Sequence, residues 1–235
     1  MTSELVPWGS GTPTALGRGR SAAPVVLFPS RPIPAPRGPY VRVVKPLLDR
    51  VLAALALVVA AVPMLVIAGV VALTMGRPVL FRQRRVGRNG EVFEVLKFRT
   101  MRPDRRGNQL DVIHDRRRTH KSDADPRHTR VGRFLRRYSL DELPQLINVL
   151  QGEMSMVGPR PELESVVANY APALHQRHHV TPGITGLWQV SARGSGPMHE
   201  NGQWDLAYVE HVSLRTDLRI MARTPGAMLG ANCGS

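Results

Sequence analysis

Residues 51–76 read VLAALALVVAAVPMLVIAGVVALTMG, and not one of them carries a charge. Asp49 and Arg50 close the run on one side and Arg77 on the other. At about 1.5 Å per residue a helix of this length crosses a hydrocarbon core of about 30 Å. Two features argue against a simple crossing. Pro63 sits near the middle, where it removes a helical hydrogen bond and forces a kink. Both flanks are basic, with Arg31, Arg37, Arg42, Lys45 and Arg50 before the run and Arg77, Arg82, Arg84, Arg85 and Arg88 after it. A spanning helix would put one basic flank on the wrong side of the bilayer. A helix broken at Pro63 that dips into the lipid and returns on the same face keeps both flanks on one side. That re-entrant form is the expectation, over a straight span and over a buried helix of a soluble core.

Composition sets the partners. The formal net charge of the 235 residues is +14, which predicts a polyanionic surface or a phosphorylated substrate. Aromatic residues make up only 5 %, too few for base-stacking platforms, so nucleic acid is not an expected partner. The single cysteine, Cys233, excludes an internal disulfide and a cysteine-rich zinc site. Residues 1–40 are rich in Pro, Gly, Ser and Arg, and are expected to be a disordered tail. Residues 41–76 are then the re-entrant helix, 77–224 the body and 225–235 a flexible end. The oligomeric state is open, a homodimer included.

Beyond the apolar run, Asn89-Gly90 separates two partly alternating segments and predicts a hairpin with a type I′ turn. Residues 102–128 read as a polar excursion, and 129–150 as helical with a break near Ser139. Residues 162–180 have a partly amphipathic pattern, interrupted by Pro172. The fold class expected is mainly α with a small β-hairpin, membrane-associated, with interfacial amphipathic helices.

The chemistry-bearing stretch is Ser139-Leu140-Asp141-Glu142-Leu143-Pro144-Gln145, behind Arg133, Arg136 and Arg137. A carboxylate pair beside arginines suits phosphoryl chemistry: carboxylates attack phosphorus or hold a divalent cation, and guanidinium groups neutralise a diphosphate. The same letters also spell a capping box, with Ser139 and Glu142 satisfying each other's backbone donors. Both readings stand at this level. Lys97 and Arg99 share one face of an extended strand and are either phosphate ligands or a solvated basic edge. Arg160 lies between Pro159 and Pro161, which lower the entropy cost of presenting it. His175 and His179 have zinc-compatible spacing without an evident third ligand.

These blocks, in this order, resemble the bacterial sugar transferase family, the monotopic phosphoglycosyl transferases. The matching residues are Gly76-Arg77-Pro78-Val79-Leu80-Phe81-Arg82-Gln83, Lys97-Phe98-Arg99-Thr100-Met101, Asp125-Pro126-Arg127 and Leu140-Asp141-Glu142-Leu143-Pro144-Gln145-Leu146. Val131-Gly132-Arg133, Asn148-Val149-Leu150, Gly158-Pro159-Arg160-Pro161, Pro182-Gly183-Ile184-Thr185-Gly186-Leu187-Trp188-Gln189-Val190 and Asp217-Leu218 complete the set. The resemblance implies a minimal catalytic form that transfers a phospho-sugar from a UDP-sugar to polyprenyl (undecaprenyl) phosphate, releasing UMP, at the first step of exopolysaccharide or other glycan assembly. It implies Asp141 as nucleophile, Glu142 as catalytic partner and Mg²⁺ ligand, and Arg136 and Arg193 as phosphate or nucleotide contacts, with Lys97, Arg99 and Arg160 as further candidates. It implies a helix broken at Pro63 and a site at the cytoplasmic face of the inner membrane, against its lipid. The chain departs from the family at Val62, at Ala192 and after Thr224. The competing expectations are a membrane-anchored polyanion binder without catalysis and a degenerate family member.

Overall fold

The computed structural model describes residues 32–102, 127, 129–191 and 201–229. The polar excursion (apart from Arg102 and Arg127), Arg193, Cys233 and the first 31 residues lie outside that set. The chain is mostly helical, with a short antiparallel hairpin.

Helix α1, Lys45–Met75, holds 31 residues, about 46 Å if straight. Pro46 at its start suits the first turn, where no N–H is needed. Gly76 ends it at φ 74°, a left-handed value open to glycine. Together with the turn before it, Tyr40–Met75 is long and apolar enough to cross a membrane. Pro63 lies inside α1, and the backbone stays helical on both sides of it. Burial divides α1 into three parts. Lys45, Asp49 and Ala53 are buried at the start, and Val71 and Met75 at the end. Between them Val58, Val59, Val62 and Leu65 are 70–80 % exposed, an apolar middle left largely uncovered by the described residues. In a straight helix Ala53 and Met75 would lie about 33 Å apart. Ala53 shares a core cluster with Val95, and the Met75 carbonyl accepts from Arg99, four residues further on and just past the end of the same strand.

Strands β1 (Leu80–Val86) and β2 (Val92–Phe98) pair antiparallel, from Leu80 opposite Phe98 to Val86 opposite Val92. Asn89 and Gly90 take φ of 55° and 83°, and the Glu91 N–H donates to the Arg88 carbonyl at 3.1 Å. This is the type I′ turn read from Asn-Gly. Helix α2 (Arg130–Arg137) is capped by Thr129, whose hydroxyl accepts from the Gly132 N–H at 2.8 Å. After the turn Leu140–Glu142 comes α3 (Gln145–Gln151).

A second strand pair went unread in the sequence. β3 (Ser155–Val157) and β4 (Gly183–Thr185) run parallel. The close approach of the backbone along and just past these strands explains three glycines. A Cβ on Gly158 would fall 2.4 Å from the Thr181 carbonyl oxygen, one on Gly183 2.0 Å from the Gly158 nitrogen, and one on Gly186 2.3 Å from the Gly158 oxygen. Backbone meets backbone here, and the loop carrying Arg160 is fixed by it.

Three boundaries move. Residues 32–40 are not a free tail: Ile33 is buried in the main cluster with Leu206, Val209 and Ile220, and its N–H donates to Gln176 Oε1. The 162–180 stretch is not one helix. It forms α4 (Glu164–Val167) and then, from Pro172, a 3-10 segment, Pro172–His179, because proline cannot continue the first helix. Helices α5 (Leu187–Ser191), α6 (Gly202–Glu210) and α7 (Leu214–Leu229) complete the body. α7 carries through Pro225, past the end expected at 224.

Candidate active site

The chain turns sharply at Ser139, which takes φ 55° and ψ 21°, the left-handed region. That conformation costs a non-glycine residue about 1–2 kcal/mol. It ends α2 and swings the backbone into the single turn that carries Asp141 and Glu142. A capping serine needs extended dihedrals, and Ser139 makes no side-chain cap bond. The capping box is therefore not formed.

Glu142 is spent elsewhere. Its Oε1 accepts from Lys97 Nζ at 2.7 Å and from Arg160 Nη2 at 2.5 Å, and its Oε2 accepts from Arg160 Nη1 at 3.2 Å. A lysine and a two-pronged arginine outcompete a local backbone N–H, since charge-assisted bonds are about twice as strong as neutral ones. Burial works to raise the Glu142 pKa, but Arg160 and Lys97 together hold it well below the usual carboxylate range. Glu142 in turn raises Arg160. Burial draws Lys97 down against the pull of Glu142.

Asp141, one residue earlier, makes no hydrogen bond or ion pair among the described residues. Burial and the neighbouring Glu142 charge push it up to about 6, against Lys97, Arg160 and Arg136. It stays ionised near neutral pH and keeps its lone pairs uncommitted. Arg136 approaches from α2, its Nε donating to Thr100 Oγ1 at 2.8 Å.

So Lys97, Arg136, Asp141, Glu142 and Arg160 come together. Arg99 does not join them: its guanidinium donates to the carbonyls of Met75, Gly76 and Arg77, the carbonyls at the end of α1 that helix geometry leaves without partners. In this structure it caps the apolar helix.

Sequence reasoning missed a buried support behind Arg160. Arg177 Nη2 donates to the Arg160 carbonyl at 2.6 Å, Nη1 donates to the Tyr170 hydroxyl, and the guanidinium pairs with Asp205 at 2.7 Å. Arg177 and Asp205 are each 2 % exposed, so this pair sets the height of the Pro-Arg-Pro turn from inside. Nothing in the local sequence marks either residue. Of the histidines, His178 Nδ1 donates to the Gly87 carbonyl at 3.1 Å, and burial lowers its pKa to about 4. Among the described residues no three His, Cys, Asp or Glu side chains group to hold a metal, so the zinc spacing of His175 and His179 builds no centre.

A divalent cation completed by substrate is a different case. Mg²⁺ binds through one or two carboxylates, with waters and phosphate oxygens supplying the rest. Of about four lone-pair positions on Glu142, three are taken, leaving one on Oε2. The donor set fits a cation that arrives with a diphosphate, and not an all-protein cage.

The family model described as Bacterial sugar transferase matches residues 40–231. A UDP-glucose:undecaprenyl-phosphate glucose-1-phosphate transferase of Xanthomonas campestris is 43 % identical over 205 residues, 83 % of this chain and 40 % of that protein. The exopolysaccharide production protein ExoY of Sinorhizobium fredii is 39 % identical over 185 residues, 75 % of this chain and 81 % of that one. A protein of Caulobacter vibrioides with the same name as the Xanthomonas enzyme is 40 % identical over 220 residues, 88 % of this chain and 79 % of that one. The chain thus spans two fifths of the Xanthomonas relative and about four fifths of the other two.

Proposed function

This chain belongs to the bacterial sugar transferase family, and from that membership we propose that it is a phosphoglycosyl transferase, moving a phospho-sugar from a UDP-sugar to undecaprenyl phosphate in exopolysaccharide assembly. The observation that carries the reading is the unequal state of two adjacent carboxylates. Glu142 is locked between Lys97 and Arg160, whereas Asp141 has no hydrogen-bond or ion-pair partner among the described residues.

In the mechanism we infer, an Asp141 carboxylate oxygen attacks the β-phosphorus of the UDP-sugar. A phosphorus–oxygen bond forms to Asp141 as the bond to the bridging oxygen breaks, and the electron pair leaves with UMP. The acceptor phosphate then attacks the same phosphorus. The acyl-phosphate bond breaks, Asp141 regains its carboxylate, and the polyprenyl-diphosphate sugar leaves. A carboxylate nucleophile splits one hard displacement into two easier ones. Arg160 and Lys97 keep Glu142 anionic and sit where diphosphate charge has to be offset. Arg136 faces the same space from α2. Arg193 belongs to the proposal by resemblance alone, as it lies outside the described residues. Bound Mg²⁺, held by Glu142 through Oε2, would supply further charge neutralisation to the diphosphate.

We place the site at the cytoplasmic membrane surface, with α1 as a re-entrant helix bent at Pro63. The exposed apolar middle of α1 supports this, as does the burial of both its ends against one small body. The test is UMP release by the full chain in lipid nanodiscs from a panel of UDP-sugars, with and without undecaprenyl phosphate. Mg²⁺-dependent UMP release with one preferred sugar is expected. A chain that only binds polyanions releases none with any donor, and that result ends the enzymatic reading.

A further inference from the structure

The transferase reading leaves the path of the lipid acceptor unassigned, and α2 offers one. Its inner face is spent on packing. Val131 and Leu135 join Ile67, Val71 and Met75 at the end of α1, and Gly132 lies so close to the Thr100 backbone that a Cβ would fall 1.9 Å from the Thr100 carbonyl oxygen. Its outer face carries two aromatic rings one turn apart. Phe134 is 56 % and Tyr138 40 % exposed, and the ring centroids are 4.9 Å apart. Arg133 and Arg137 are exposed beside them, and Arg137 lies 6.0 Å from the centre of the Tyr138 ring.

One exposed phenylalanine is ordinary. Here three features coincide on nine residues, Arg130–Arg137 and the capping Tyr138. The aromatic pair is an apolar surface of a size suited to an isoprenoid chain. The flanking guanidinium groups complement an anionic phosphate. And the helix is the physical link between the apolar helix and the reacting group: it rests on the end of α1 and runs into Ser139, which delivers Asp141. A ligand whose tail starts in the bilayer beside α1, and whose phosphate must finish at Asp141, passes along α2.

We propose that the outer face of α2, with Phe134 and the following Tyr138 beside Arg133 and Arg137, is the binding surface of the polyprenyl phosphate acceptor: the isoprenoid chain lies on the two rings and the phosphate is handed past the arginines to Asp141. The inference rests on the transferase reading for the identity of the ligand, and on the geometry of α2 for its place.

The experiment uses the full chain in nanodiscs, with undecaprenyl phosphate as one acceptor and a two-isoprene phosphate as the other. Two things are measured: single-turnover UMP release from the UDP-sugar alone, and steady-state transfer to each acceptor. For the double substitution Phe134→Asn with Tyr138→Ser, the expected result is a rise of about tenfold in the KM for undecaprenyl phosphate, the size of one lost apolar contact of this area. The short acceptor should lose less, and donor-only UMP release should hold. Phe134→Leu, which keeps an apolar side chain, should recover most of the affinity. An unchanged acceptor KM overturns the proposal. So does an equal loss in the donor-only step, which reports a distorted site, or release of the chain from lipid, which makes the face a membrane dock. Altered size on a sizing column would make it a contact between copies and overturn it likewise. Absence of UMP release from the unsubstituted chain fails the transferase reading instead, and is told apart because every variant is then silent.

Discussion

The foot of α1 and the turn around Asp141 are both built from a lysine facing two carboxylates, and they leave those carboxylates in opposite conditions. At the foot, Lys45 Nζ donates to Asp217 Oδ2 at 2.7 Å and lies 3.6 Å from Asp49 Oδ2. Asp217 also accepts from Tyr40 at 2.6 Å and Tyr208 at 2.8 Å, while Asp49 accepts from Ser155 Oγ at 2.7 Å and from the Met156 N–H at 3.2 Å. Every carboxylate oxygen there has a partner, and the result ties α1 to β3 and α7. Around Lys97 only Glu142 is satisfied, and Asp141 is left over. A closed network holds parts together. An open one keeps a charged group available at the cost of some stability.

The strongest way to break this comparison is Asp141→Asn. The variant should lose UMP release by about 10⁴-fold or more, as expected when a nucleophile is removed. Its melting temperature should stay within a few degrees of the parent, because Asp141 makes no hydrogen bond or ion pair among the described residues. Unfolding of the variant would place Asp141 in the holding class with Asp49 and Asp217.

The complementary substitution is Lys45→Met at the foot. It leaves two buried carboxylates facing each other without their cation, a loss of about 3–5 kcal/mol for a broken buried pair. Thermal or denaturant unfolding in detergent reads it. Turnover per folded molecule should be close to that of the parent, since the foot touches no substrate group in the proposed mechanism. Ser155→Ala is the milder form. It removes one donor to Asp49 and should cost about 1–3 kcal/mol, read in the same assay.

What the sequence conveyed about these two regions differs for a physical reason. Local features were legible. Asn89-Gly90 dictated its turn because two successive left-handed residues suit few other pairs, and the break at Ser139 showed as a change of pattern. The length and apolar content of α1 needed only counting. Features that depend on distant partners were not legible. Glu142 reads as a capping residue because its neighbours spell a box, yet its partners Lys97 and Arg160 are 45 and 18 residues away. Arg99 reads as a phosphate ligand because a guanidinium suited to an anion is equally suited to a row of carbonyls, and only the fold shows that α1 ends beside it. β3 and β4 are three residues each, too short to show a period. Arg177 and Asp205 carry no motif at all, although together they set the position of Arg160.

The finest test concerns why Asp141 is available at neutral pH. Its pKa of about 6 is the outcome of opposing causes: burial and Glu142 raise it, whereas Lys97, Arg160 and Arg136 lower it. In the proposed reaction the attacking group is the carboxylate, so kcat/KM should fall as pH drops through about 6, approaching tenfold per unit below it, and level off above. Arg136 is the weakest of the three cations and is not bonded to Glu142, so Arg136→Gln changes the field at Asp141 while the Glu142 clamp stays intact. Losing a lowering influence must raise the pKa. The acid limb should therefore move to higher pH, and a variant assayed near pH 6 should lose more activity than the same variant near pH 8. A limb that stays in place would mean that Arg136 acts on bound phosphate alone. A limb that moves down would mean that the charge balance around Asp141 is set by groups other than the arginines and the lysine that face it.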